Sequence, residues 1–257
     1  MQISFVHHLR LFISLALRAG ACTSAFAQAN DPRLLTCIAF GDSTTAPREV
    51  NGVQIDVYPK LVEKQLAGEG VIPRMLNKGV PGNTTVDALK RFAADVLAHQ
   101  PNIVLIQFGI NDSAIDVWRN PPDTKPRVPI AVYEANLRTM VQKLQDIGAE
   151  VVLMTPNPVR WTTQLRKLYG SPPYDPSDPD GWNVLLRQYA AVVRQVADYQ
   201  KAALVDVYAA FNDYGKTEGR STEELLIDGM HPNAKGHRLI ADLIMRCLNR
   251  PPERNQR

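Results

Sequence analysis

The 257-residue chain has little cysteine, no long apolar run and no marked excess of charge. Its three cysteines are Cys22, Cys37 and Cys247, and none of the spacings between them is that of a zinc site. The sequence also lacks the HExxH pattern of metalloproteases and the glycine-rich loop that binds phosphates. We therefore expect no metal and no other cofactor. Cys37 and Cys247 are expected to be small buried side chains, although an oxidising compartment would also allow them to pair.

The charges nearly balance, with 29 lysines and arginines against 26 aspartates and glutamates. No basic stripe with interleaved aromatic residues occurs, which argues against a nucleic-acid partner. The partner that we expect is a small-molecule or carbohydrate substrate. Hydrophobic residues make up 45% of the chain, which is long enough for one large domain with a buried core. We expect that domain at residues 28–250, followed by a flexible tail at 251–257.

The first 27 residues have the layout of a secretory signal peptide. A basic start ending at Arg10 precedes the apolar run Leu11–Leu17, and Ala25–Ala27 forms a small-x-small cleavage site. The alternatives are a mispredicted start codon and acylation of Cys22, but the three residues before Cys22 lack the leucine of a lipoprotein signal. The apolar run is too short to span a membrane. The sequence therefore predicts a protein that is exported to the periplasm or secreted, without a membrane span in its mature form.

Strand-like and helix-like patterns alternate along the rest of the chain. Strand-length apolar runs are continuous rather than alternating, which is typical of strands buried on both faces. Amphipathic helical patterns separate them, so we expect an α/β fold, a three-layer αβα sandwich around a mostly parallel sheet of about five strands. The predicted strands are Leu35–Phe40, Val71–Leu76, Ile103–Phe108, Val151–Met154 and Leu204–Val207.

Two long proline-rich loops follow the third and fourth of these strands, at residues 113–129 and 156–181. Because the carboxyl ends of parallel strands meet at one edge of the sheet, both loops should overhang the same edge. Their aromatic residues suit either stacking on sugar rings or anchoring the loops to the body of the protein. We name four of their side chains as candidate substrate-binding residues: Trp118, Arg119, Arg160 and Trp161.

The segment "IAFGDSTTAP" places Ser43 directly after a predicted buried strand. A serine in this position is either a helix cap or a nucleophile, and the choice depends on whether a base is available. Of the histidines outside the signal peptide, His99 precedes a strand and belongs to the opposite edge, and His237 lies inside the last helix. His231 alone falls in a loop at the edge where Ser43 lies.

Asp228 stands three residues before His231, a spacing that allows a carboxylate to bond the imidazole Nδ1 and leave Nε2 facing a hydroxyl. Taken alone the pattern is also that of an ordinary turn. Gly82, in a glycine-bearing loop, and Asn111, just past the third strand, offer a backbone N–H and a side-chain amide to a developing oxyanion. Turn formation is again the other interpretation of both residues.

The blocks "GDSTT", "GVPGNTT", "GIND" and "DGMHP", in this order, resemble those of the GDSL-type, or SGNH, hydrolase family. The resemblance implies a flavodoxin-like αβα sandwich, with Ser43 as nucleophile, Asp228 and His231 as acid and base, and an oxyanion hole. That hole would consist of the Ser43 and Gly82 N–H groups and the Asn111 amide. Threonine in place of the leucine of GDSL is similar to the carbohydrate acetylesterases of the family, whereas the glycine loop is similar to its lysophospholipases and thioesterases.

The resemblance and the residues together predict a serine ester hydrolase that works through an acyl-enzyme. Export and the aromatic loops favour removal of acetyl groups from a carbohydrate. The alternatives are a lipid esterase of the lysophospholipase or thioesterase type, an acyltransferase, or an inactive glycan-binding module on the same scaffold.

Overall fold

A computed structural model of the protein describes residues 34–249, so the predicted signal peptide and tail lie outside the described residues. The strands are β1 (Leu34–Gly41), β2 (Arg48–Val50), β3 (Val53–Ile55), β4 (Ile72–Gly79), β5 (Ile103–Gln107), β6 (Glu150–Met154) and β7 (Ala203–Val205). The helices are α1 (Tyr58–Gly68), α2 (Thr85–Asp95), α3 (Ile110–Ser113), α4 (Ile130–Asp146), α5 (Thr163–Tyr169), α6 (Leu186–Gln200), α7 (Val207–Lys216) and α8 (Ala234–Leu248).

Five strands form one fully parallel sheet in the order β4-β1-β5-β6-β7. The register pairs Gly41, the last residue of β1, with Gly79 of β4 and Gln107 of β5. Gln107 in turn pairs with Met154, the last residue of β6. Met154 also pairs with Val205, the last residue of β7. All five strands therefore end level with one another, and the loops that follow them meet at one edge of the sheet, which we call the carboxyl edge.

Helices cover both faces of this sheet. Along β1, Ile38 and Phe40 pack with α2, α4 and α6 on one face, while Cys37 and Ala39 pack with α1, α7 and α8 on the other. Full burial of a side chain as large as Ile38 or Phe40 contributes about 1.5–3 kcal/mol relative to leaving it exposed. The predicted three-layer αβα sandwich with five parallel strands is confirmed.

The helix boundaries follow local signals. Thr84 caps α2 through a reciprocal pair of bonds with Asp87. The last strand is shorter than expected: β7 ends at Val205 because the Asp206 side chain accepts the N–H of Ala209 and starts α7. Sequence reasoning missed α7, the short helices α3 and α5, and the β2–β3 hairpin.

Cys37 is buried between the sheet and α1, and burial raises the pKa of its thiol to about 12. Its role is that of a small core side chain, as expected. The Cys247 Sγ lies on α8, 3.9 Å from the carbonyl oxygen of Leu204. Among the described residues, none of the helices is both long and apolar enough to cross a membrane.

Candidate active site

Ser43 lies in a tight turn that leaves the end of β1. The Asp42 carboxylate accepts the N–H and the hydroxyl of Thr44, both at 2.8 Å, and so caps this turn. The turn folds back closely on the strand: a Cβ on Gly41 would lie 2.0 Å from the Thr45 hydroxyl oxygen, which only glycine avoids. Because Asp42 does the capping, the hydroxyl of the half-buried Ser43 is left for another partner.

That partner is His231. Its Nε2 lies 2.9 Å from the Ser43 Oγ, and its Nδ1 lies 2.7 Å from Oδ2 of Asp228. With the proton on Nδ1, the ring donates to Asp228 and accepts from the serine hydroxyl. The structure thus brings together the three residues that the sequence predicts as nucleophile, base and acid, although Ser43 and His231 are 188 positions apart.

Asp228 also organises its own loop, since its second oxygen accepts the N–H groups of Met230 and His231 at 3.0 and 2.9 Å. Burial by itself raises the pKa of Asp228, but the hydrogen bonds from the His231 ring and these N–H groups outweigh it and lower the pKa below its usual range. The carboxylate is therefore ionised whenever the imidazole needs a negative partner.

The loop is locked onto the segment after β6. Gly229 has a φ of +84°, and a Cβ there would lie 2.2 Å from the carbonyl oxygen of Arg160. The Arg160 N–H donates to the Gly229 carbonyl at 2.7 Å, and the Asn157 amide donates to the carbonyl of Met230 at 2.8 Å. These contacts fix the position of the loop that carries His231.

Asn111 lies in α3, just past the end of β5. Its amide Nδ2 donates to the carbonyl of Asn83 at 3.1 Å and lies 3.5 Å from Oδ2 of Asp42, the limit of a hydrogen bond. One amide hydrogen is therefore firmly held and the other only loosely. Within residues 34–249 the N–H groups of Ser43 and Gly82 donate to no protein acceptor, and Gly82 is exposed.

A buried carboxyl group lies directly behind this donor. Asp112 accepts the N–H and the hydroxyl of Thr85 at 2.8 and 2.6 Å, which ties α3 to the start of α2. Its other oxygen has no partner among the described residues. Burial raises the pKa of Asp112 to about 7, against the two bonds from Thr85. Sequence reasoning missed this residue, although it directly follows Asn111.

Two arginines that the sequence did not single out contact the site. Nη2 of Arg48, from β2, donates to the carbonyl of Ser43 at 3.1 Å. Nη1 of Arg127, at the end of the loop over residues 113–129, donates to Oδ1 of Asn111 at 3.1 Å. No local pattern marks either residue, because each reaches its partner through the path of a loop.

The four candidate substrate-binding residues have different surroundings. Trp118 is 50% exposed and its Nε1–H donates to Asp116, which also pairs with Arg119. The indole of Trp161 donates to the carbonyl of Asp178 and leaves part of the ring at the surface.

For Arg160, predicted as a candidate substrate-binding residue, the structure shows contacts with the protein itself. Its side chain is only 12% exposed. Its two terminal nitrogens donate to four protein acceptors, on Val159, Asp180, Asn212 and Thr222. Through these contacts Arg160 ties loops of the protein together.

Most of the loop aromatics serve as anchors. Tyr169, Tyr174 and Trp182 pack on one another with ring centroids 5.5–5.7 Å apart, and all three are buried.

His237 is likewise a core residue: its Nδ1 accepts the N–H of Tyr58, and burial lowers its pKa to about 3. Among residues 34–249 no three His, Cys, Asp or Glu side chains are grouped as metal ligands.

Comparison with known proteins identifies the family to which the chain is similar. The pattern of the GDSL-like lipase/acylhydrolase family matches residues 39–239. The chain is 32% identical to an acetylxylan esterase of Geobacillus stearothermophilus over 200 residues, 77% of either chain. It is 30% identical to the uncharacterized lipoprotein YqeF of Bacillus subtilis, over 91% of this chain and 94% of that one.

The crystal structure of the Geobacillus acetylxylan esterase matches this fold with a TM-score of 0.66 at 29% identity, covering 84% of this chain and 95% of that chain. Three further structures of that esterase are catalytic mutants in which a serine, an aspartate or a histidine is replaced by alanine. Its aspartate and histidine are three positions apart.

Proposed function

Because this chain belongs to the GDSL-like lipase/acylhydrolase family and is a carboxylic ester hydrolase, we propose that it cleaves esters through an acyl-enzyme on Ser43. The observation that carries the proposal is the chain of two contacts, 2.9 Å from Ser43 to His231 and 2.7 Å from His231 to Asp228. The mutated serine, aspartate and histidine of the Geobacillus esterase, with the same three-residue spacing, support the assignment.

In the first half-reaction the Ser43 Oγ attacks the ester carbonyl carbon and its proton passes to Nε2 of His231. Asp228 accepts the Nδ1–H bond throughout and stabilises the imidazolium that forms. When the tetrahedral intermediate collapses, the alcohol leaves with the proton from Nε2 and the acyl group stays on Ser43.

In the second half-reaction water gives a proton to Nε2 and attacks the acyl carbonyl, and collapse returns the proton to Ser43. Both tetrahedral intermediates carry a negative oxygen. The N–H groups of Ser43 and Gly82 are available to bind it, together with the loosely held hydrogen of the Asn111 amide. Each such donor contributes on the order of 10²–10³ to kcat.

We propose that the substrate is an acetylated carbohydrate. An exposed indole stacks well on the apolar face of a sugar ring, and Trp118 is attached to the donor side of the site through Asp116. The acetylxylan esterase activity of the Geobacillus relative supports this substrate class. We also propose export of the protein, in keeping with the lipoprotein relative YqeF.

The mechanism is tested by replacing the nucleophile. Ser43→Ala should lower kcat for an aryl acetate by about 10³-fold or more. A fluorophosphonate should add one covalent group to the wild type, localised to Ser43 by peptide mass spectrometry, and none to Ser43→Ala. A folded Ser43→Ala protein with the parent rate would rule out the mechanism.

The substrate class is tested by rates on acetyl, butyryl and octanoyl aryl esters beside acetylated xylo-oligosaccharides. We expect a strong preference for acetyl esters and release of acetate from the oligosaccharides. Rates that rise with acyl-chain length would indicate a lipid esterase instead. Transfer of the acetyl group to an added sugar in place of hydrolysis would indicate an acyltransferase.

A further inference from the structure

We propose that Arg127 is a positioning residue that holds the amide of Asn111 with its NH₂ group facing the oxyanion. This inference rests on the proposed function, since it assigns Arg127 to the same reaction. The guanidinium acts through Asn111, whose Oδ1 accepts the Nη1–H of Arg127 at 3.1 Å.

An asparagine amide needs such a partner because its two ends have nearly the same shape. Rotated by half a turn, the side chain would present Oδ1 to the developing oxyanion and repel it. In the orientation of the structure, Oδ1 meets the cation of Arg127 and Nδ2 meets the carbonyl of Asn83. The rotated amide would place its NH₂ against the guanidinium and its oxygen against that carbonyl, so both contacts favour the donor orientation.

Arg127 is itself held by a buried carboxylate. Its Nε and Nη2 bond Asp116 in a forked pair, with Nη2 to Oδ1 at 2.7 Å and Nε to Oδ2 at 3.0 Å, and the Asp116 side chain is fully buried. The backbone around it is also fixed, since the Arg127 N–H donates to Ala114 and the Val128 N–H to Asp112. A forked pair on an anchored loop places a guanidinium far more accurately than a single exposed bond does.

The pair stays charged over the working range of an esterase. Burial acts to raise the pKa of Asp116, but the hydrogen bonds and charge of Arg127 outweigh it and lower that pKa. Burial acts to lower the pKa of Arg127, and the bonds and charge of Asp116 raise it instead. The contribution of Arg127 should therefore not depend on pH.

Asp116 also accepts the Nε1–H of Trp118 at 3.3 Å. One buried carboxylate thus connects the arginine behind the oxyanion donor with the exposed indole proposed to contact the sugar. A substrate-binding role of Arg127 itself, whose side chain is 30% exposed, is the competing interpretation. It predicts a change in KM, whereas positioning of Asn111 predicts a change in kcat.

The test is a double-mutant cycle on aryl acetate hydrolysis with Arg127→Met, Asn111→Ala and the double variant. We expect Arg127→Met to lower kcat about tenfold with KM within twofold, and Asn111→Ala to lower kcat about 10²–10³-fold. Adding Arg127→Met to Asn111→Ala should cost nothing further, because the amide that Arg127 orients is gone. Arg138→Met is the matched control: Arg138 is 33% exposed and also pairs with a carboxylate, Glu134, but lies on α4.

Losses that multiply in the double variant would overturn the inference, as would an increased KM with an unchanged kcat in Arg127→Met. A wild-type kcat in Asn111→Ala would overturn the oxyanion part of the proposed function, and the role of Arg127 with it. If thermal melting shows that Arg127→Met does not fold, the same double-mutant cycle is measured with Arg127→Lys in its place. Lysine keeps the charge but cannot fork onto Asp116 and reach Asn111 as well, so the same loss and the same non-additivity are expected.

Discussion

The two sides of Ser43 are built in different ways. On the proton-transfer side, Asp228 and His231 come from one loop and stand three residues apart. On the oxyanion side, Asn111 depends on Asn83 from the loop after β4, on Arg127 from the far end of a long loop, and on the Ser43 turn. The first side is a local motif, and the second is assembled from four segments.

The two sides also differ in how their charges are supported. Asp228 is 49% exposed and is held as an ion by hydrogen bonds from its own loop. The carboxyl groups of Asp112 and Asp116, on the oxyanion side, are buried and tie helices and loops together. On the proton-transfer side a proton must move between residues, whereas on the oxyanion side the dipole of the Asn111 amide must keep its orientation. This difference explains why the oxyanion side is the more deeply anchored.

Loss of the base should have the largest effect. His231→Asn leaves no group to take the Ser43 proton, so kcat for an aryl acetate should fall by about 10³-fold or more. His99→Asn, at the opposite edge of the sheet, is the matched control and should keep the parent rate. Steady-state kinetics on the two folded variants checks this, and similar losses in both would remove His231 from the mechanism.

Loss of the oxyanion donor should be smaller and of another kind. Asn111→Ala is expected to lower kcat by about 10²–10³-fold. The factor should be the same at every pH, because an amide does not titrate. Measuring the ratio of the kcat values of wild type and variant from pH 6 to pH 9 checks this. A ratio that changes with pH would mean that Asn111 also influences the proton-transfer side, and the distinction drawn here would fail.

The buried carboxyl of Asp112 should make stability depend on pH. The pKa of Asp112 is about 7 in the folded protein and about 3.9 in the unfolded chain. Well below about pH 4 the carboxyl is protonated in both states, and its contribution to the free energy of unfolding is fully present. The associated stability is lost as the pH rises to 7, at up to about 1.4 kcal/mol per pH unit, and the loss then levels off. Asp112→Asn removes this dependence.

Urea unfolding of wild type and Asp112→Asn at pH 4.5, 6, 7.5 and 8.5 measures the effect. The difference in the free energy of unfolding should shift in favour of the variant between pH 4.5 and 7, and stay constant above. A difference that is constant over the whole range would show that the Asp112 carboxyl keeps an ordinary pKa in the folded protein.

The smallest effect on catalysis is expected from Arg160, which supports the proton-transfer side only through the fold. Arg160→Met should leave kcat and KM within about twofold, since its donors bond the protein rather than a substrate. Loss of these bonds should lower the free energy of unfolding by about 1–3 kcal/mol. An increased KM for acetylated xylo-oligosaccharides, with unchanged stability, would restore the role in substrate binding that the sequence suggested.

Much of the fold could be predicted from the chain alone, because strand and helix patterns are local. Continuous apolar runs located the five parallel strands. The last strand was predicted to end at Val207 and α7 was missed, since the end of β7 depends on Asp206, whose side chain caps the next helix. The β2–β3 hairpin has only three residues in each strand, too few for a clear alternation.

For the site, local residue patterns were enough to predict which residue types follow the strands, and the parallel order of the strands then places Ser43, Asn111 and His231 at one edge. The contacts made by the long loops could not be predicted in this way, because they follow from the three-dimensional path of the backbone. Arg127 contacts Asn111 and Arg160 contacts Asn212 because of the paths of their loops. In the sequence each is simply an arginine in a long proline-rich loop, and nothing beside it indicates its partner. A side chain's partner across many residues depends on where the backbone carries it, and no local pattern records that path.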